Sequence, residues 1–240
     1  MKQFTTSTII TTLIDIFRKT MNYSGIYIDE VQDLAGHDLF FIQKLIGTSI
    51  VLTMAGDPRQ VTYLTHFPSV NKKYSEGKIE EFLRDKKLSD KVFFDNKTLV
   101  NSRRNCQSIC EYSNKLFPDY PAVKSNQYEE NNHIGVFLVK EKDMTEYVNS
   151  LMPLQLRYNR NVKVNSNHDV LNFGESKGKT VDHVLIYPTE EIIKWIKDNS
   201  YNLKFKSRCQ FYVALTRAKF SVGIVWSDLE KVEGLDFYSS

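Results

Sequence analysis

The chain has 240 residues, 41% of them hydrophobic, with a formal net charge of +3 and three cysteines. That is enough apolar material for one or two cores, no run approaches the roughly 18 apolar residues of a membrane span, and so mild a basicity does not by itself mark a nucleic-acid binder. Cys106, Cys110 and Cys209 make no even disulfide framework, and Cys106-x-x-x-Cys110 lacks a second ligand pair, so free thiols and a cytoplasmic location are expected.

In chain order, Thr8 to Lys19 carries Ile9, Ile10, Leu13, Ile16 and Phe17 close to a helical stripe, with Thr5 to Ser7 as a cap. Gly25 to Ile28 reads as a short buried parallel strand, because a β-prone run bounded by Gly ends abruptly in Asp29-Glu30. Ligands collect at the carboxyl ends of such strands. Asp29 there suits Mg²⁺ and Glu30 suits taking a proton from water, while the same two acids also suit an ordinary helix start. Leu39, Ile42, Leu45 and Ile46 predict a helix over Asp38 to Ile46, stopped by Gly47. A second apolar run, Ile50 to Ala55, ends in Gly56-Asp57-Pro58-Arg59-Gln60. Residues 68 to 90 are polar and charged, and read as a solvated face or linker with a domain boundary near residue 90. Val92-Phe93-Phe94 then predicts a strand opening the next unit, and Asn105 to Leu116 its first helix. Gly174-Glu175-Ser176-Lys177-Gly178-Lys179-Thr180 is one residue short of the phosphate-binding pattern G-x-x-x-x-G-K-[ST]. A phosphate loop must open directly into a helix, whereas Val181 to Tyr187 is strand-like, so this segment is read as a decoy.

Taken together, the motifs resemble those of superfamily 1 helicases of the UvrD/Rep type. DEVQD from Asp29 to Asp33 is similar to motif II, GDPRQ with Tyr63 to motif III, Leu99-x-x-Ser102-Arg103-Arg104-Asn105-x-x-x-Ile109 to motif IV, Phe173 to Pro188 to motif V, and YVALTRA from Tyr212 to Ala218 to motif VI. The resemblance implies an α/β, RecA-like (P-loop NTPase) architecture: an incomplete first lobe over residues 1–90 and a second lobe over residues 91–240, each a parallel sheet flanked by helices. The stretch from Arg104 to Lys177 is too short for the large extra domain that UvrD-type helicases insert there. It further implies ATP and Mg²⁺ as cofactors and movement on single-stranded DNA, 3′ to 5′, with RNA as an alternative strand. Catalytic roles fall to Glu30, Gln60, Arg104 and Arg217, the last as an arginine finger. Nucleotide contacts fall to Asp29, Gln60, Arg104, Gly178 and Arg217, and the Mg²⁺ of the nucleotide to Asp29 and Glu30. Tyr63 and Phe67 are placed to stack bases, Phe67 serving equally well as core, and Ser176 and Lys177 to contact backbone phosphates. Motif V departs from the family pattern at Gly174 and Thr180, where His and an acid are usual. A Walker A loop would precede motif II, and residues 1 to 24 do not match one. A protein chain supplying the P-loop half is therefore an expected partner, and the Ile26-Tyr27-Ile28 strand is expected to leave apolar surface uncovered. The competing expectation is a non-enzymatic module that binds single strands or docks on a partner.

Overall fold

The computed structural model describes residues 24–48, 50–62, 70–128, 130–164, 168–227 and 230–239. The helix expected over Thr8 to Lys19 lies outside the described residues, as do Tyr63 and Phe67. Two compact units divide the chain, Met1–Phe94 and Asp95–Ser240.

Unit 1 is built on two parallel strands, β1 (Gly25–Ile28) and β2 (Val51–Met54), paired in the register Ile26 to Leu52 and Ile28 to Met54. Helix α1 (Asp38–Ile46) connects them. Its Leu39, Ile42 and Leu45 recur on one face and are all buried, and Asp38 in the first turn and Lys44 in the last suit the helix dipole. The stretch read as a solvated face or linker is folded, with its charges on the solvated side. Lys72–Tyr74 forms a 3₁₀ turn and Ile79–Asp85 a helix, α2, and Tyr74, Phe82 and Leu83 join Leu39 and Ile42 in the unit 1 core. Few apolar residues are present in this segment, but at helical spacing they suffice. The charges around them sit outside, pairing as Arg84 with Glu80 and Lys73 with Asp85. Val92-Phe93-Phe94 forms no strand: Val92 and Phe94 pack on the unit 1 core, closing this unit rather than opening the next. On the opposite sheet face, Tyr27 is 82% exposed and Val51 66%. Parallel sheets normally have both faces covered; among the described residues this face stays exposed at Tyr27 and Val51, while Ile28 packs on the unit 1 core.

Unit 2 begins with a pair of short parallel strands, β3 (Asn101–Ser102) and β4 (Lys124–Ser125), flanking α3 (Gln107–Asn114). There follow β5 (Gly135–Lys140), α4 (Met144–Leu151), β6 (Leu154–Arg157), β7 (Val170–Asn172), β8 (Val181–Ile186), α5 (Glu190–Lys197), α6 (Phe205–Leu215), β9 (Ala218–Trp226) and β10 (Asp236–Phe237). Six strands form one sheet in the order β10-β5-β9-β8-β6-β7, with every neighbouring pair parallel. The apolar runs of β8 and β9 take central places, as strands covered on both faces must. Helix α5 starts where the Thr189 hydroxyl accepts the Ile192 N–H, and buries Ile192, Trp195 and Ile196. In β9 the backbone passes so close to α4 that a Cβ on Gly223 would lie 2.8 Å from the Tyr147 ring. The molecule is thus a mixed α/β protein of RecA-like architecture. Cys106, Cys110 and Cys209 are buried thiols outside any disulfide. Among the described residues no helix is long and apolar enough to cross a membrane.

Candidate functional site

In unit 1 the register brings two motifs out side by side. Ile28 pairs with Met54, so Asp29-Glu30 and Gly56-Asp57 leave neighbouring strands at the same, carboxyl end of the sheet. The ladder continues one step past the strands, Ala55 N donating to Ile28 O at 2.9 Å and Val31 N to Ala55 O at 3.0 Å. Asp29 and Glu30 are both exposed, and Asp29 Oδ1 accepts the Glu30 N–H at 2.8 Å. Glu30 adopts a left-handed backbone (φ 57°, ψ 36°), which costs a residue with a side chain about 1 to 3 kcal/mol. The reversal turns the chain into the Val31–Asp33 3₁₀ turn and sends Gln32 back beneath Glu30. Gln32 is only 3% exposed. Its Nε2 donates to Glu30 Oε2, and its Oε1 accepts the Asp57 N–H at 3.1 Å.

The Pro58–Gln60 turn is organised by Asp57, whose Oδ1 accepts from Arg59 N at 3.0 Å and Arg59 Nε at 2.7 Å. Asp57 Oδ2 accepts from Gln60 Nε2 at 3.0 Å. The structure therefore gathers Asp29, Glu30 and Gln60 at one strand end. Gln32 and Asp57 link them, roles that sequence reasoning did not assign although both residues lie inside the motifs it recognised.

In unit 2, motifs IV, V and VI converge. Asn105 is buried; its Nδ2 donates to Thr216 O at 3.0 Å and Ala218 O at 2.7 Å, gripping the chain on both sides of Arg217. Arg104 Nη1 also donates to Thr216 O, at 3.3 Å. Arg217 is 1% exposed: Nε donates to Val213 O at 2.9 Å, Nη2 to Thr216 Oγ1 at 3.1 Å and Nη1 to Lys179 O at 3.4 Å. The side chain expected as an outward finger is thus folded into its own unit, because the helix end and the motif V loop offer acceptors within reach of its fork. Asn105 was missed because a polar residue beside two arginines carries no sequence signal for its buried contacts. Asn105→Ala is expected to cost unit 2 about 1 to 3 kcal/mol, since the Ala218 carbonyl loses a buried donor; urea unfolding followed by tryptophan fluorescence checks this, and an unchanged midpoint would contradict the clasp.

The motif V loop runs from β7 through a Gly174–Ser176 3₁₀ turn straight into β8. No helix opens after Lys179-Thr180, so the segment has no phosphate-loop geometry. Gly178 is exposed with φ +82°, where a side chain would be strained, and Lys177 is half-buried beside it. Ser176 departs from expectation: it is fully buried and its hydroxyl donates to Phe173 O at 2.7 Å, holding the turn rather than facing a ligand. Among the described residues no group of three or more His, Cys, Asp or Glu forms a cage for a metal ion.

Residues 3–225 match the family model described as the viral superfamily 1 RNA helicase core domain. Among solved structures, the PRRSV helicase is similar with a TM-score of 0.53 and 16% identity, over 90% of this chain and 37% of that one. Arterivirus nonstructural protein 10, a helicase, is similar at a TM-score of 0.49 and 14% identity, over 92% of this chain and 51% of that one. The chain therefore spans about a third to a half of the length of these structures. No curated protein matches it significantly.

Proposed function

Because the chain belongs to the viral superfamily 1 RNA helicase core domain family, we propose that it is part of an ATP-driven motor moving on single-stranded nucleic acid, with Glu30 as the catalytic base. The observation that carries the reading is the exposed pair Asp29-Glu30 beside Asp57 and Gln60 at the carboxyl end of β1 and β2. Adjacent carboxylates are hard oxygen donors, the chemistry that suits Mg²⁺ shared with nucleotide phosphates. Asp29 would hold the ion and Glu30 would orient and deprotonate water. When bound, ATP·Mg²⁺ supplies the phosphoryl group and the charge that neutralises it. Gln60 would meet the terminal phosphate, with Arg104, Gly178 and Arg217 adding contacts from motifs IV, V and VI. Arg217 would turn out of its bed to reach the phosphate, for which a guanidinium fork has a stronger affinity than for neutral carbonyls. The P-loop half comes from another segment or partner. A cytoplasmic location accords with this reading.

The strand is read as RNA on the family's description, while the UvrD/Rep-like spelling of DEVQD, GDPRQ and YVALTRA favours single-stranded DNA tracked 3′ to 5′. Tyr63 and Phe67 would stack bases and Lys177 would contact phosphate. Fluorescence anisotropy with matched RNA and DNA oligonucleotides tests both strands. Weak, sequence-indifferent binding is expected, with a salt slope of about −0.7 per phosphate neutralised, and Tyr63→Ala should weaken it by about 1 kcal/mol or more. Salt-independent binding would contradict the proposal.

A further inference from the structure

We propose that Gln32 is a positioning residue, a strut that ties the Glu30 carboxylate to the Gly56–Gln60 turn so that displacement of Gln60 is transmitted to Glu30. The proposal rests on the reading of Glu30 as catalytic base and adds to it how that base is held and informed. Both ends of the Gln32 amide are used, and their order is fixed by chemistry. The Asp57 main-chain N–H can only donate, so it must face Oε1, and this turns Nε2 toward the Glu30 carboxylate. Because Gln32 is almost wholly buried, breaking either bond leaves an amide group short of a partner, a cost water cannot readily offset. Glu30 is therefore restrained although its side chain is exposed.

The far end of the strut is equally constrained. A Cβ on Gly56 would lie 2.4 Å from Gln32 Oε1 and 3.1 Å from Val31 N. Only glycine lets the Gly56–Gln60 turn come this close to the amide. Asp57 then continues the connection, its carboxylate accepting from Gln60 Nε2 while its own N–H holds Gln32. Two residues, Asp57 and Gln32, thus join the side chain placed to sense the terminal phosphate to the one placed to activate water. A pull on Gln60 draws on Asp57, and the buried amide carries the movement to Glu30.

Nuclear magnetic resonance of the full 240-residue chain tests this without nucleotide. Glu30→Ala removes the acceptor of Gln32 Nε2, and is expected to shift the Gln32 side-chain amide and, through it, the Asp57 backbone amide. In a Gln32→Met background, which keeps length but has no amide, the Asp57 shift caused by Glu30→Ala is expected to vanish. An equal shift in both backgrounds would overturn the strut. Should Gln32→Met unfold unit 1, Gly56→Ala serves instead: by pressing on Oε1 it is expected to move the Gln32 amide and Glu30 carboxylate signals together, and movement of one without the other would overturn the proposal. In a motor completed with a P-loop half, Gln32→Met is expected to lower kcat about tenfold with KM for ATP unchanged, and an unchanged kcat would likewise overturn it. The nucleotide-free result stands apart from catalysis, so a failed strut leaves Glu30 as the base, and a failed catalytic reading leaves the strut measurable.

Discussion

In a motor completed with a P-loop half, Arg217→Ala is expected to cut strand-stimulated ATP turnover by about 10³- to 10⁵-fold, the contribution of an arginine that meets the transferred phosphoryl group. The guanidinium rests 1% exposed on Val213 O, Thr216 Oγ1 and Lys179 O, while Asn105 fixes the backbone on either side. Those acceptors hold the fork in a defined place without the strength of a phosphate pair. Arg217→Lys separates charge from geometry: it keeps the cation, loses the bidentate fork, and is expected to lose most of the turnover as well. Steady-state kinetics with a parallel melting curve checks both variants. Full turnover in a folded Arg217→Ala protein would remove the finger from the mechanism.

Phe82→Ala is expected to destabilise unit 1 by about 3 to 5 kcal/mol, the usual cost of deleting a buried ring. Phe82 is fully buried and packs edge-on against Tyr74 with ring centroids 5.1 Å apart, in a core shared with Leu39, Ile42 and Leu83. A whole domain is stable by only about 5 to 15 kcal/mol, so so small a unit has little reserve. Both tryptophans, Trp195 and Trp226, lie in unit 2. Urea unfolding should therefore show the circular-dichroism step of unit 1 lost or moved to low urea, with the tryptophan fluorescence midpoint unchanged. An unmoved circular-dichroism profile would mean that the Ile79–Asp85 helix contributes nothing to the core.

Elements with a clear apolar pattern were legible in the sequence: α1 through Leu39, Ile42 and Leu45, the strands β1 and β2, and the buried runs of β8 and β9; the burial expected of β1 was not met, since Tyr27 is exposed. The 70–94 segment was not, because charge dominates its composition while seven apolar side chains, Tyr74, Ile79, Phe82, Leu83, Leu88, Val92 and Phe94, decide its fold. Val92-Phe93-Phe94 has strand propensity, yet packing on unit 1 overrides it. In unit 1 the motifs pointed to Asp29, Glu30 and Gln60, which meet at one strand end, and in unit 2 to Arg104 and Arg217, which both bond within motif VI, since spacing from strand ends is a sequence property. The partners that hold them were hidden. Gln32 to Asp57 and Asn105 to Ala218 join residues distant in the chain, and only the parallel register or the closing of unit 2 brings them together. Ser176 was misjudged for a related reason, its hydroxyl being taken by the Phe173 carbonyl of the turn it stabilises.

The most direct test of the central claim is ATP turnover by the 240-residue chain, alone and combined with a P-loop half, with single-stranded nucleic acid present. Alone, the chain should show no appreciable hydrolysis, because its sequence carries no G-x-x-x-x-G-K-[ST] loop to cradle the triphosphate; combined, it should turn over ATP in response to the strand and lose that activity with Glu30→Gln. Robust hydrolysis by the chain alone, or turnover in the completed motor that survives Glu30→Gln, would contradict the account.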